Sequence, residues 1–140
     1  MAIVAAYLID TSAAARSFHP VVGNFVVPLV SDGLVGTCAA LDFEALFSSR
    51  NASEYEEVRL DRQVAYEYLP TNDTDWNRAL DVQRQLASSS RLRAVGMPDL
   101  IIAAVAERHE LTLVHYDSDF DHVSEVTGQT TRWLAPRGTW

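Results

Sequence analysis

The sequence predicts an α/β fold in which helices cover both faces of a central, mainly parallel sheet of four or five strands. Short apolar runs typical of buried strands occur at residues 3–9, 34–38, 111–116 and, more weakly, 131–134. Segments with helical spacing separate these runs, as the crossovers of a parallel sheet require. A length of 140 residues fits one domain, residues 1–140, with a single core.

Five helical segments are expected, at residues 20–31, 40–48, 53–66, 74–88 and 97–110. Ser53 with Glu56 three residues later resembles a capping box at the start of the third segment. The fourth segment is amphipathic, and we predict that its apolar face carries Trp76, Leu80, Val82 and Leu86.

Charge and composition exclude several classes of protein. The chain has 11 basic and 19 acidic residues, a net charge of -8, and every basic residue apart from histidine is arginine. The absence of lysine excludes P-loop nucleotide hydrolases, Schiff-base enzymes and receiver-like phosphoacceptor sites. An acidic chain also lacks the broad basic face of most nucleic-acid-binding proteins, unless metal ions neutralise a local acidic site.

The single cysteine and the apolar start of the chain indicate a cytoplasmic protein. Cys38 has no intrachain partner for a disulfide and lies in an apolar run, so we expect a core residue in a reducing compartment. The opening MAIVAAYLI contains no basic n-region, and Asp10 ends it, so a buried strand is favoured over a signal peptide. No segment is long and apolar enough to predict a membrane span.

Carboxylates occur at four unusual places in the predicted fold. Asp10 follows a strand, Glu44 lies among apolar helix residues, Asp99 lies in a first helical turn, and Asp117 with Asp119 follows another strand. Each has an ordinary alternative: a helix cap for Asp10, a favourable helix-dipole position for Asp99, exposure for Glu44, and a turn for the last pair. Strand ends of a parallel sheet share one edge, however, so Asp10 and Asp117 are expected to lie close together.

Such an acidic cluster needs protons or divalent cations to offset like-charge repulsion. Oxygen ligands favour Mg²⁺ or Mn²⁺ over zinc, and these ions can activate water for phosphodiester cleavage.

Other sites find little support in the sequence. Asp117, Asp119 and Asp121 match the first positions of an EF-hand, but His122 stands where the loop needs glycine and Gly128 where it needs glutamate. The four histidines, including His115 and His122, lack metal-site spacing and are expected to be surface or strand residues. No nucleophile motif of a covalent enzyme is present.

The order of these motifs resembles the PIN domain, and most closely the VapC toxins of bacterial toxin-antitoxin pairs. The resemblance covers essentially the whole chain and is carried by four segments: a strand followed by Asp10-Thr11-Ser12, the isolated Glu44, PDLIIAA at 98–104, and LVHYDSDF at 113–120. It implies a three-layer α/β/α PIN-like fold and a Mg²⁺-dependent endoribonuclease, with Mn²⁺ as a substitute, acting on structured RNA such as tRNA or rRNA.

By position, the resemblance also assigns site residues and partners. Asp10, Glu44, Asp99, Asp117 and Asp119 match the catalytic, metal-holding acids. The family implies a homodimer, and a cognate VapB-type antitoxin whose C-terminal segment enters the active-site groove, in a heterotetramer or larger complex.

RNA contacts must come from arginine, since lysine is absent. Arg91, Arg93 and Arg16 are the candidates, with Arg50 next and solvated surface as the alternative. The Thr11 and Ser12 hydroxyls beside the first aspartate are grouped with them as candidate RNA contacts. Trp133 and Trp140 could stack on a base, but core or dimer packing is favoured.

Two other functions remain open at this level. One is a non-catalytic PIN-like module that binds RNA or protein, and the intact acid set argues against it. The other is a metal-dependent phosphatase or DNA nuclease, because an acidic metal site does not by itself select the sugar.

Overall fold

One sheet of five strands forms the centre of the computed structural model, which describes residues 2–139. In chain order the strands are β1 (Tyr7–Ile9), β2 (Val35–Thr37), β3 (Glu67–Tyr68), β4 (Thr112–His115) and β5 (Thr131–Trp133). Across the sheet the order is β3-β2-β1-β4-β5, and every neighbouring pair is parallel. The predicted parallel sheet is confirmed. Its strand order reverses direction at β1, which places the ends of β1 and β4 side by side at the switch point.

Helices connect the strands. They are α1 (Thr11–Ala14), α2 (Pro20–Ser31), α3 (Ala39–Phe47), α4 (Ala52–Ala65), α5 (Asp73–Ser88), α6 (Met97–Arg108) and α7 (Asp119–Thr127). The residues of α6 from 100 to 106 are all buried, because this helix contacts α3, α5, α7 and β4. It is therefore the central helix of the core, and its first turn, which carries Asp99, emerges at the switch point.

The first strand is shorter than predicted. It begins at Tyr7 instead of residue 3, and Ile3 and Val4 are exposed. The N–H groups of Val4 and Ala5 donate to the Glu67 side chain, at 3.0 and 2.8 Å to Oε1, and not to a neighbouring strand. Because these N–H groups bond to a side chain, β1 starts later than its apolar composition predicts.

Two helix predictions are wrong in detail. The N-cap of α4 is Asn51, whose Oδ1 accepts the Glu54 N–H at 2.8 Å, so Ser53 lies inside the helix and caps nothing. The capping box is at the start of α5, where Asn72 and Asp75 bond reciprocally. On α5 the buried face is Asp75, Ala79, Val82 and Leu86, while Trp76 and Leu80 are largely exposed. The buried face of α5 therefore includes Asp75, a polar residue, and leaves out two of the large apolar residues from which the face was predicted.

Three elements lie outside the predicted segments: the four-residue helix α1 after Asp10, β3 and α7. The two-residue strand β3 is too short to produce an alternating pattern, and α7 was interpreted as an acidic turn. Because α7 begins at Asp119 and continues to Thr127, the segment cannot form a calcium-binding loop, which confirms the rejection of the EF-hand.

Cys38 is fully buried at the end of β2, and burial raises the pKa of its thiol, so the prediction of a core residue is confirmed. Across residues 2–139 no helix combines the length and the apolar composition that a membrane span requires.

Candidate metal centre

Asp10 is held at the junction of β1 and α1, where it caps the helix. Its Oδ2 accepts two hydrogen bonds from Ser12, one from the N–H at 3.0 Å and one from the hydroxyl at 2.7 Å. The Asp10 N–H in turn donates to the Val114 carbonyl on β4 at 2.9 Å. Asp10 is therefore a helix cap, as the ordinary alternative proposed, and is also only 3% exposed at the edge where β1 and β4 end.

Glu44 reaches the same edge from α3. The Thr11 hydroxyl donates to Glu44 Oε2 at 2.9 Å, which links the α1 segment to α3 across 33 residues of sequence. Consecutive hydroxyls, on Thr11 and Ser12, thus orient two different carboxylates. We expected these hydroxyls to contact RNA, and in the structure both donate their hydrogens to acids, so any contact with RNA would use their oxygen lone pairs.

The predicted acids form two groups that share Asp99. Carboxylate oxygens of Asp10, Glu44 and Asp99 lie within 4.8 Å of one another, and so do those of Asp99, Asp117 and Asp119. Asp99 owes its central position to α6, whose first turn points it at the strand ends. The structure therefore brings together all five acids that the sequence analysis selected.

Crowding perturbs the protonation of these acids. The pKa of Asp99 is raised to about 7, mainly by burial and further by repulsion from Asp10, Asp117, Glu44 and Asp119. The pKa of Glu44 is also raised, mainly by burial and with a contribution from Asp10, against the lowering effect of the Thr11 hydrogen bond. Burial and then Asp117 raise the pKa of Asp119, while His122 opposes the shift. Without a cation, part of the cluster holds protons near neutral pH.

Two carboxylate oxygens in this cluster are buried without a hydrogen-bond partner among residues 2–139: Asp10 Oδ1 and Glu44 Oε1. A buried charged oxygen without a partner is costly, and a divalent cation would satisfy it. Asp10 and Glu44 belong to the same candidate ligand group, which Asp99 completes. All donors here are carboxylate oxygens, which suit Mg²⁺ or Mn²⁺, so the residues present fit a hard divalent ion.

Apolar cavities adjoin the acidic edge. One, of about 510 Å³, has Glu44 in its wall and is otherwise bounded by Ala39, Ala40, Phe43, Thr71, Trp76, Met97, Pro98 and Ile101. A second, of about 340 Å³, shares Ala39 and Phe43 with the first and extends to Phe47, which is 93% exposed. The outer face of α3 therefore presents an apolar groove directly beside the carboxylates.

The arginines predicted to contact RNA are in different environments. Arg91 is half-buried and its guanidinium contacts Glu125, at 2.5 Å, and His122. Arg16 lies over the Tyr116 ring, 4.2 Å from its centroid, and donates to the Ser12 carbonyl at the rim of the site. Arg93 is exposed and has no ion-pair partner in the described part of the chain.

Arg50 is also exposed and lies just before α4, with its guanidinium paired to Glu54 in the first turn of that helix. Of these side chains, Arg93 is therefore the most available to an added anion, and Arg16 lies beside the acids.

His115 lies at the site, although the sequence analysis predicted only that it would be a surface or strand residue. It ends β4, is fully buried, and its Nδ1 accepts the Asp117 N–H at 3.2 Å. Burial lowers the pKa of His115, against the opposing effects of Asp121, Asp10 and Asp117. The signal available in the sequence was its position two residues before Asp117, where a side chain can accept the N–H of a turn.

Trp133 is half-buried and packs within the fold: its ring contacts His115 and Tyr116, and Nε1 donates to Asp121 Oδ1 at 3.0 Å. Trp140 lies outside the described residues.

Comparison with known proteins identifies the family. Residues 7–126 match the PIN domain. Ribonuclease VapC21 of Mycobacterium tuberculosis (strain H37Rv) is 40% identical over 133 residues, covering 95% of this chain and 96% of that protein. Ribonuclease VapC51 of the same strain is 39% identical over 133 residues, with 95% and 96% covered.

Solved structures agree on the fold. The DNA-bound VapBC complex from Salmonella typhimurium contains a chain with a TM-score of 0.76 at 14% identity, covering 94% of this chain and 99% of that one. VapBC-1 from nontypeable Haemophilus influenzae gives a TM-score of 0.73 at 17% identity, with 91% and 97% covered. The resemblance drawn from the sequence motifs is confirmed: the chain belongs to the PIN-domain family, in the group that contains the VapC ribonucleases.

Proposed function

We propose that this protein is a divalent-metal-dependent endoribonuclease and the toxin of a toxin-antitoxin pair, cleaving structured RNA such as tRNA or rRNA. The observation that carries the proposal is the convergence of five acids on Asp99, with two buried carboxylate oxygens left without hydrogen-bond partners. Relatives named ribonuclease over almost the full chain support the same activity.

The five acids would hold the ion or ions. Asp10, Glu44 and Asp99 form one candidate ligand group, and Asp99, Asp117 and Asp119 form the other. A bound Mg²⁺ or Mn²⁺ would supply an activated water nucleophile and charge neutralisation for phosphodiester cleavage. The Thr11 hydroxyl donates to Glu44 Oε2 and the Ser12 hydroxyl donates to Asp10 Oδ2. These bonds orient the two carboxylates while the second oxygen of each stays without a hydrogen-bond partner among residues 2–139.

Arginines would guide the RNA backbone to these acids. Arg93 precedes the Asp99 helix, is exposed and has no ion-pair partner among residues 2–139, whereas the guanidinium of Arg91 is already held by Glu125. Arg93→Ala is expected to raise KM several-fold with little change in kcat, because a phosphate contact contributes to binding and not to the reacting bond. Arg84→Ala is the matched control, since it removes the same charge from an exposed position of α5.

An antitoxin of the VapB type is the proposed protein partner, and a homodimer the proposed assembly. The apolar groove beside Glu44, with Phe43 77% exposed, offers a seat for an apolar segment of the antitoxin, and a basic side chain on that segment would face the carboxylates. The solved structures with this fold are VapBC complexes, which supports such a partner. Co-purification of a small protein expressed from the same operon tests this part of the proposal.

The activity is tested by cleavage of total cellular RNA with the purified, partner-free protein in Mg²⁺ or EDTA. Asp99→Asn removes the shared ligand, and Asp61→Asn, on an exposed position of α4, is the matched acidic control. Discrete fragments that require Mg²⁺, persist with the control and disappear with Asp99→Asn are expected. Equal cleavage of a DNA strand of matched sequence would favour a general nuclease, and cleavage that persists in the folded Asp99→Asn variant would refute the metal centre.

A further inference from the structure

The turn between β4 and α7 carries two of the candidate ligands, Asp117 and Asp119, and its backbone N–H groups are held by side chains. Ser12 Oγ accepts the Tyr116 N–H at 2.9 Å, His115 Nδ1 accepts the Asp117 N–H at 3.2 Å, and Asp117 Oδ1 accepts the Asp119 N–H at 2.9 Å. The turn lies beyond the strand ladder, so these amides depend on such acceptors. The position of the acids is thus set by the side chains that accept the turn amides.

The His115 ring is itself held in place. It is fully buried, with its centroid 5.1 Å from the Phe120 ring and 5.0 Å from the Trp133 ring. Trp133 is anchored in turn by donation from Nε1 to Asp121 Oδ1 at 3.0 Å. An acceptor fixed between two aromatic side chains defines where the Asp117 amide must lie.

The second ring nitrogen shows that packing alone does not explain a histidine here. Because Nδ1 accepts a hydrogen bond, the ring hydrogen is on Nε2, which is buried and has no hydrogen-bond partner among residues 2–139. A buried donor without a partner is unfavourable, and phenylalanine would fill the same space without that disadvantage. Unlike phenylalanine, histidine supplies an acceptor for the Asp117 N–H.

We propose that His115 is a positioning residue of the metal centre: its Nδ1 fixes the Asp117 backbone and, through Asp117 Oδ1, the first turn of α7 with Asp119. The inference rests on the proposed metal centre and deepens it. His115 touches neither substrate nor metal, and acts through the two aspartates, as residues behind metal ligands commonly do.

Two substitutions separate the acceptor from the packing. His115→Phe keeps an aromatic ring between Phe120 and Trp133 but removes the acceptor. His115→Asn keeps a side-chain acceptor at the position of Nδ1 but removes the ring. Binding of Mn²⁺ alone, measured by electron paramagnetic resonance in the absence of RNA, is the readout, and thermal unfolding measures the stability of each variant.

We expect His115→Phe to weaken Mn²⁺ binding about tenfold while remaining folded, and His115→Asn to bind within about threefold of wild type although it is less stable. Wild-type Mn²⁺ affinity in His115→Phe would overturn the inference, as would an equal loss in both variants. If His115→Asn does not fold, ¹⁵N NMR of the wild-type imidazole decides: hydrogen on Nε2 supports the inference and hydrogen on Nδ1 overturns it. A wild-type protein that binds no Mn²⁺ would instead refute the proposed metal centre, and the NMR measurement would still test the contact to Asp117.

Discussion

Replacing Asp99 with asparagine is expected to stabilise the metal-free protein at high pH, although it removes the shared candidate ligand. The pKa of Asp99 is raised from 3.8 to about 7 in the folded protein, chiefly by burial. Folding therefore favours the protonated carboxyl, so the free energy of unfolding falls as pH rises from about 4 to about 7 and then levels off. Asparagine carries no charge at any of these pH values and removes this dependence.

The size of the effect follows from the same shift. A pKa displacement from 3.8 to about 7 corresponds to about 4 kcal/mol for a fully enclosed group. Asp99 is partly exposed, so solvent screening reduces the effect, and we expect about 1 to 2 kcal/mol at pH 8. For a chain of this length that corresponds to an increase in Tm of about 3 to 7 °C.

The assay is thermal and urea unfolding of both proteins in EDTA at pH 5 and pH 8, followed by circular dichroism. Asp61→Asn, an exposed acid on α4, is the control and should leave the pH dependence unchanged. Added Mn²⁺ should raise the Tm of the wild type and of the control, but much less that of Asp99→Asn, because a ligand that binds only the folded state stabilises it. A variant less stable than wild type at pH 8, or one that keeps the wild-type pH dependence, would refute the reasoning.

Two further substitutions test the core around the site. Arg108→Met should lower the free energy of unfolding by about 3 kcal/mol in urea titrations, because it leaves the Asp75 carboxylate, 1% exposed, without its bidentate partner. Arg59→Met, which breaks an exposed pair on α4, should change it by at most about 0.5 kcal/mol, and equal effects would contradict this account. Gly36→Ala should lower it by about 1 to 3 kcal/mol, since the added Cβ would lie 3.0 Å from a leucine methyl and 3.2 Å from an alanine Cβ. An unchanged urea midpoint for Gly36→Ala would show that the strand can shift to make room.

The sequence was sufficient to predict the fold because its central elements have simple patterns. Buried parallel strands appear as continuous apolar runs, and α6 was predicted from the apolar face of Leu100, Ile101, Ala104 and Val105, although the structure buries every residue from 100 to 106. The rule that strand ends share an edge then predicts that Asp10 and Asp117 lie close together. Glu44 was a candidate because a carboxylate is unexpected among apolar helix residues. Asp99 was a candidate because it lies in the first turn of a helix with a buried apolar face.

Details set by single side chains could not be predicted in the same way. The start of β1 depends on Glu67, which is 62 residues away from Ala5 in sequence, and the cap of α4 depends on which of two nearby polar residues bonds to the helix. The role of His115 is similar, because an acceptor for a turn amide has no periodicity to detect. Interactions of this kind become visible only once the chain is folded.

The five acids are contributed by segments that span residues 10 to 119, and the first of them, Asp10, donates its N–H to Val114 on β4, a strand formed late in the chain. Activity is therefore a property of the finished chain: synthesis yields the complete acid set only after Asp119 has left the ribosome and β4 has joined β1. A chain that starts after Asp10 or ends before Asp119 would lack one of the candidate metal ligands. In a nuclease organised in this way the acid set is completed only late in synthesis, which would leave time for a partner to be present when the site forms.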